Sequence, residues 1–332
     1  METLIRGKKI LFFAAQFLGY QYEIKKAMEA RGAIVDYFDE RPANNFFVKA
    51  AIRINRDIIS SYIDSYHKAI INKTKDIHYD YIFIIKGESI SFENIKLLKL
   101  LHPNAKVVMY HWDSFANNKN ALSLMPYVDV NFSFDFNDCR LYNLTFLPLF
   151  YINEYANVST DKNMQEYDTL FIGTAHSDRC YIVKRLEEIV NGNSYSWFYL
   201  PSRVLYFRML LQKNNRKALK NLKINYKALD KKTIIRLYES SKIIIDIQHP
   251  KQAGLTMRCI ETLGARKKLI TTNAQIKEYD FYNPNNILVI DRENPYVSED
   301  FIKGEYVDIP EDIYNKYSID GWLNQIFNSK MN

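Results

Sequence analysis

Short apolar segments such as Lys9–Ala14, Tyr81–Ile85 and Lys106–Tyr110 alternate with longer amphipathic stretches, and after a polar break the same alternation starts again. Segments that are apolar at every position belong to strands buried on both faces. The stretches between them are long enough for crossover helices, so the pattern calls for parallel sheets. In the first half, strands are expected at Lys9–Ala14, Ile34–Phe38, Tyr81–Ile85, Lys106–Tyr110 and Val128–Phe132, with a last one around Leu144–Leu147. Gln21–Arg31 has helical spacing and Gly32 is its stop, and residues 47–77 are also helical in period. The second half offers strands at Asp168–Ile172, Ser196–Tyr199, Lys242–Asp246, Lys268–Thr271 and Ile287–Ile290. Its helices fall at Tyr181–Val190, Val204–Leu222 (a basic stretch), Lys232–Glu239 and Thr256–Gly264.

The fold class that follows is α/β with two Rossmann-like domains, 1–152 and 168–310. The polar, aperiodic segment 153–167 reads as their linker, and 311–332 as a C-terminal helical tail able to pack back on the first domain. A chain of 332 residues, 47% hydrophobic and 25% charged, can build two such cores. The three cysteines (Cys139, Cys180, Cys259) lie far apart with no CxxC pair, which argues against a disulfide framework or a zinc knuckle and for a reduced cytoplasm. Arg6, Lys8 and Lys9 before Ile10–Gly19 superficially resemble a signal peptide. Gln16 interrupts that run, however, and no small-x-small site follows, so a buried strand is the better reading. No apolar stretch reaches the 18 residues or so that a membrane span needs. A net charge of +7 favours an anionic partner. Without a nucleic-acid reader motif, that partner is a phosphorylated ligand or an anionic membrane face rather than nucleic acid.

The stretch Asp246–Asn273 is the most informative. A strand ends at Asp246, a turn containing Gly254, Leu255 and Thr256 follows, and a helix begins near Thr256. A helix N-terminus exposes unpaired N–H groups and can hold phosphate without metal. Arg258 adds a cation in the first turn, and Glu261, one turn on, can accept two vicinal hydroxyls of a ribose. The plain alternative is an ordinary strand-to-helix junction with Arg258 and Glu261 as a surface pair.

Gly254-Leu-Thr-x-Arg-x-x-Glu261 followed by Leu263-Gly-x-x-x-Lys-Leu-Ile270 resembles the donor-site signature of GT-B glycosyltransferases, most closely the CgeB-like proteins of spore maturation and capsular or lipopolysaccharide biosynthesis. The resemblance extends to Asp39-Glu-Arg-Pro42, Tyr110-His-Trp-Asp-Ser114, Phe171–Arg179 and Tyr279-Asp-Phe-Tyr282. It implies two Rossmann-like domains around a cleft, a nucleotide-sugar donor held in the second, no metal and no other cofactor. It also implies that Glu261 holds the ribose while the neighbouring turn holds the diphosphate.

Further candidates sit at other strand ends. Gly173, His176 and Arg179 follow the first strand of the second domain and are placed to meet a diphosphate, with Ser177 or Asp178 as helix cap. His111 and Asp113 lie just past a strand of the first domain and are the catalytic candidates, His111 being alternatively a core residue. Some retaining GT-B enzymes carry a His here that touches the donor sugar, although this chain has His-Trp-Asp in place of the commoner His-Asp. Glu88 and Asp135 are further candidate bases. The acidic stretch Ser133–Asp138 suits a loop-capping role better than a metal site. Phe46–Arg56 reads either as a core-facing helix or as an interfacial one on anionic lipid.

The function expected is metal-independent transfer of a sugar from a nucleotide donor to a glycan or lipid-linked acceptor, through an oxocarbenium-like transition state. Two alternatives remain: transfer of a polyol or glycerol phosphate from a CDP carrier, and a non-catalytic nucleotide- or sugar-binding subunit. An NAD-linked enzyme is disfavoured, since no GxGxxG occurs.

Overall fold

The structure, a computed structural model, describes residues 4–210, 222–250 and 253–328. Of the basic stretch read as a helix over Val204–Leu222, Arg203–Leu210 is helical and residues 211–221 lie outside the described residues, as do Lys251 and Gln252. Contacts divide the chain into two compact units, Met1–Pro148 with Ile319–Asn332, and Leu149–Ser318.

In the first unit, β1 (Lys9–Ala14), β2 (Ile34–Asp39), β3 (Tyr81–Ile85), β4 (Lys106–His111), β5 (Val130–Ser133) and β6 (Thr145–Phe146) form a parallel sheet in the order β2-β1-β3-β4-β5-β6. The apolar runs are apolar because both faces are covered. Leu11, Phe13, Ile82, Ile84, Val107 and Met109 share one core. On the opposite face Phe12 stacks on Phe83 at 5.4 Å. That face is closed by the helix Ile319–Asn328, whose Trp322 meets Tyr110 at 4.9 Å and Phe83 at 6.0 Å, while Phe327 meets Tyr81 at 5.0 Å. Ile319, Trp322, Leu323, Ile326 and Phe327 are buried, the spacing of one helical stripe. Gly32, at φ +87°, ends the first helix (Tyr20–Ala30).

The second unit holds β7 (Tyr167–Thr174), β8 (Ser194–Tyr199), β9 (Ile224–Asn225), β10 (Ser241–Asp246), β11 (Lys268–Thr271) and β12 (Ile287–Val289), also parallel, in the order β12-β11-β10-β7-β8-β9. Phe171, Ile243, Ile245 and Ile270 pack with Ile182 and Leu186 of the helix Arg179–Val190. The segment read as a linker carries a helical turn at Asn153–Ala156, and its Tyr155 and Val158 are buried. The helix Glu311–Lys316 packs in this second unit: the Tyr314 hydroxyl donates to the Gly264 carbonyl at 2.7 Å, and the Tyr151 hydroxyl donates to the Tyr314 carbonyl at 3.0 Å. Gly264 is tight for that reason, since a Cβ there would lie 2.5 Å from the Tyr151 ring.

Trp322 is 1% exposed and fills the space over β3 and β4. Trp322→Ala should therefore destabilise the first unit by about 3–5 kcal/mol. Chemical denaturation checks this, and a loss under about 1 kcal/mol would contradict a packed seam for the tail helix.

Candidate functional site

In the second sheet the strand order reverses between β7 and β10, so the segments leaving the C-terminal ends of these neighbours emerge side by side. Open α/β sheets bind ligands at such a point. The two segments are the ones singled out from sequence: 175–178 leading into the helix Arg179–Val190, and 247–256 leading into the helix Met257–Gly264. β7 is longer than expected, so Gly173 belongs to the strand, paired with Phe198, rather than to the loop.

Arg179 is buried, and its Nε donates to the Ile247 carbonyl (2.7 Å) and its Nη1 to the Thr174 carbonyl (2.9 Å), tying the two loops together. Arg258 donates from Nη1 to Asp246 Oδ1 at 2.8 Å, and the fully buried Asp246 also accepts from Cys259 Sγ at 3.3 Å. The two guanidinium carbons lie 5.9 and 5.7 Å from the centre of the same Phe171 ring. A Cβ placed on Gly173 would be 3.3 Å from Arg179 Nη1 and 3.4 Å from Arg258 Nη2, so both cations converge on this glycine. Burial, and then the Arg258 charge, pull the Arg179 pKa down to about 10. For Arg258 burial also acts downward, but Asp246, Tyr238 and Glu261 outweigh it and the pKa rises. Two like charges held this close make a place where an anion relieves repulsion.

Glu261 is half-buried and accepts a hydrogen bond from the Tyr155 hydroxyl; burial first, and then this carboxylate, push the Tyr155 pKa well up. Tyr238 packs edge-on to Tyr155 at 5.1 Å. Arg258 and Glu261 are thus not the surface pair of the plain alternative. Thr256 stands at the N-cap of its helix without capping it; its hydroxyl turns to Cys259 Sγ at 3.7 Å. Leu255 is 1% exposed, so its side chain belongs to the core. The Gly254 carbonyl accepts from Asn273 Nδ2 at 3.3 Å, which fixes the turn. The His176 ring lies tilted against His249 at 5.3 Å, and its Nδ1 is 3.0 Å from Ser177 Oγ. Burial first, then Arg179 and His249, lower its pKa to about 4, so it is neutral at neutral pH.

Neither Ser177 nor Asp178 caps the helix from Arg179 by its side chain. Asp178 instead receives Arg292 Nη1 on both oxygens, at 2.7 and 2.8 Å, while Arg292 Nη2 donates to the Gln248 carbonyl. Arg292 escaped the sequence reading, as did the ring contacts of Phe171 and the partnership of Asp246. The available signal for Arg292 was its place just beyond a strand's C-terminal end.

In the first unit His111 is fully buried, its Nε2 3.0 Å from Asn131 Oδ1, and burial lowers its pKa to about 4. This burial favours the core alternative over direct contact of the imidazole with a substrate in the described conformation. Asp113 is part-exposed; it accepts from Asn117 Nδ2 at 3.1 Å and lies 3.7 Å from Lys86 Nζ. Asp135 is buried and caps the helix Phe136–Tyr142 through Asn137 N and Asp138 N, the capping role expected of that acidic stretch.

No family model matches this chain, and no curated protein matches it. Among solved structures it is similar to an α-glucosyltransferase in complex with UDP and a 13-mer DNA containing a central A:G mismatch, with TM-score 0.63, 14% identity and 96% of each chain covered. It is also similar to a glycosyltransferase from Rickettsia africae (TM-score 0.56, 16% identity, 96% of each chain). A third likeness is to AviGT4, a glycosyltransferase involved in avilamycin A biosynthesis (TM-score 0.55, 9% identity, 97% of this chain and 98% of that one). At these identities the likeness is one of fold. The fold is therefore that of GT-B glycosyltransferases: α/β, two Rossmann-like units, each with a six-stranded parallel sheet.

The His111 shift carries a sign. The unfolded chain takes up a proton near the ordinary value of 6.5 and the folded one only near 4. Stability is therefore steady above pH 6.5 and falls as pH drops through this window. In His111→Gln the loss between neutral and mildly acid pH should be smaller than in the wild type by on the order of 1–3 kcal/mol. Equal losses in denaturant titrations of the two proteins would contradict a buried, neutral imidazole.

Proposed function

We propose that the chain is a glycosyltransferase that takes a sugar from a nucleoside-diphosphate donor. The observation that carries this reading is the convergence of Arg179 and Arg258 on Gly173, where the sheet order reverses. The Phe171 ring edge, 2.9 Å from the same Cβ position, fills the space over the glycine itself, so a diphosphate meets the two guanidinium groups beside that ring. As the bond to the sugar breaks, negative charge grows on the leaving diphosphate, and cations fixed in advance stabilise it. Because the guanidinium groups supply that charge, no metal is needed in this scheme. Glu261, steadied by Tyr155, holds the ribose hydroxyls. The fold likeness to glycosyltransferases supports the same reaction class, and the sequence resemblance supports a CgeB-like setting with a surface glycan as acceptor.

Among the described residues no helix is long and apolar enough to cross a membrane. We assign the chain to the cytoplasm, with peripheral contact to anionic lipid through the helix Phe46–Asn55. The 81% exposure of Phe47 and the net charge of +7 support that contact.

Calorimetry with UDP, GDP, CDP, dTDP and CMP tests the reading. One diphosphate should bind the wild type more tightly than CMP, and Glu261→Ala should weaken it by about 1–3 kcal/mol, the scale of a lost charged hydrogen bond. Arg258→Lys, which keeps the charge beside Asp246 but loses the fork, should weaken the diphosphate and leave the free nucleoside unaffected. If none of the five binds the folded wild type, the reading fails.

A further inference from the structure

Arg292 follows β12, the edge strand of the second sheet, and its side chain reaches across to the segments that leave β10 and β7. Its Nη1 donates to Asp178 Oδ1 at 2.7 Å and to Oδ2 at 2.8 Å, and its Nη2 donates to the Gln248 carbonyl. One guanidinium group therefore grips both segments of the candidate site, 175–178 and 247–256. The backbone that carries it is set from two sides. Asp291 Oδ1 accepts from Glu293 N and Asn294 N, each at 2.8 Å, and Arg185 Nη1 donates to the Glu293 carbonyl at 2.7 Å. Gln248 is braced in turn by Thr272, whose hydroxyl donates to Gln248 Oε1.

The informative partner is Asp178. It stands at the N-cap of the helix Arg179–Val190, where an aspartate ordinarily accepts N–H groups of the first turn, yet it makes no side-chain cap. Ser177 before it has φ +48°, a conformation side chains avoid. The strained turn and the Arg292 fork together hold the carboxylate to one side. Its direction matters because Asp178 is the chain neighbour of Arg179, one of the two cations that converge on Gly173. Burial first and Arg258 next lower the Arg179 pKa, and Arg292 adds to that lowering, so the clasp and the site feel each other's charge. A free carboxylate beside Arg179 would compete with the phosphates for that cation and repel them. One covered by a bidentate guanidinium does neither.

We infer that Arg292 is a positioning residue of the donor site, holding the Asp178 carboxylate away from the diphosphate while it ties the two loops together. The inference rests on the nucleoside-diphosphate reading and adds to it a residue that acts without touching the donor. Its Nη1 and Nη2 are both engaged by the protein, unlike those of a cation presented to a ligand.

Calorimetry on the full chain with UDP, GDP, CDP, dTDP and inorganic pyrophosphate tests it. Arg292→Gln leaves Asp178 uncovered and should weaken the probe that binds the wild type about tenfold, the scale of one uncompensated charge nearby. Asp178→Asn removes the carboxylate and leaves the cation, so the same probe should bind about threefold tighter. The double variant, Arg292→Gln with Asp178→Asn, should return to within about threefold of the wild type, because the two changes are coupled. Three results overturn the inference: Arg292→Gln binding like the wild type, Asp178→Asn binding no tighter, or a double variant as weak as Arg292→Gln. The last would make Arg292 a plain brace or a direct phosphate ligand. Should Arg292→Gln fail to fold, the sign of the Asp178→Asn change decides. A wild type that binds none of the five probes sinks the donor reading and this inference with it. Binding by the wild type with the wrong response of the variants sinks the inference alone.

Discussion

Asp246 ends β10 with its carboxylate out of reach of water. A charge in that position costs several kcal/mol unless it is paired. Arg258 supplies the pairing, and the ion pair fastens the strand end to the first turn of the following helix. Arg179 enters the same place from the next strand but binds carbonyls, Thr174 and Ile247, so its attachment does not consume Asp246. The ring of Phe171 lies against both guanidinium groups and offers each its negative face. An anion would ease the repulsion within such a pair, which is why the proposed diphosphate is placed there.

The same topology gathers two different sets of side chains. In each sheet the first strand of the unit stands beside the reversal, β1 in one and β7 in the other, and polar side chains gather at its C-terminal end. In the second unit arginines dominate. In the first unit cations and carboxylates alternate: burial pushes the Glu88 pKa up, but Lys86 and Arg41 overcome it and hold the carboxyl below its usual range. Burial and the Glu88 charge drive its neighbour Glu40 up to about 7. Two nearby carboxyls are thereby pulled apart in acidity, a separation that exposed groups do not show.

What the sequence made legible follows from physics at short range. Strands buried on both faces carry short apolar runs, so β1, β3 and β11 could be read to the residue. β9, two residues paired only at the sheet edge, leaves no such run. The turn at Gly254 and the first-turn arginine were visible because helix starts carry local signatures. The partners were not: Arg41 and Glu88 are 47 positions apart, and Arg292 reaches Asp178 over 114. Such pairs are set by strand order. His111 shows the limit from the other side, since the burial of a histidine at a strand end is not visible in the local sequence.

Strand order also accounts for the tail. The face of the first sheet that carries Phe12, Phe83 and Tyr110 is apolar, and among the described elements the helix Ile319–Asn328 lies on it. The chain leaves the first unit at Pro148, builds all of the second, and returns only for these residues. Their apolar stripe makes sense only against that sheet, because a helix with Trp322, Leu323 and Ile326 turned to water would lose the burial that sustains it. Completing the first unit therefore waits on the last turns of the chain. The two units cannot be separated at Pro148 without stripping one of them of part of its core.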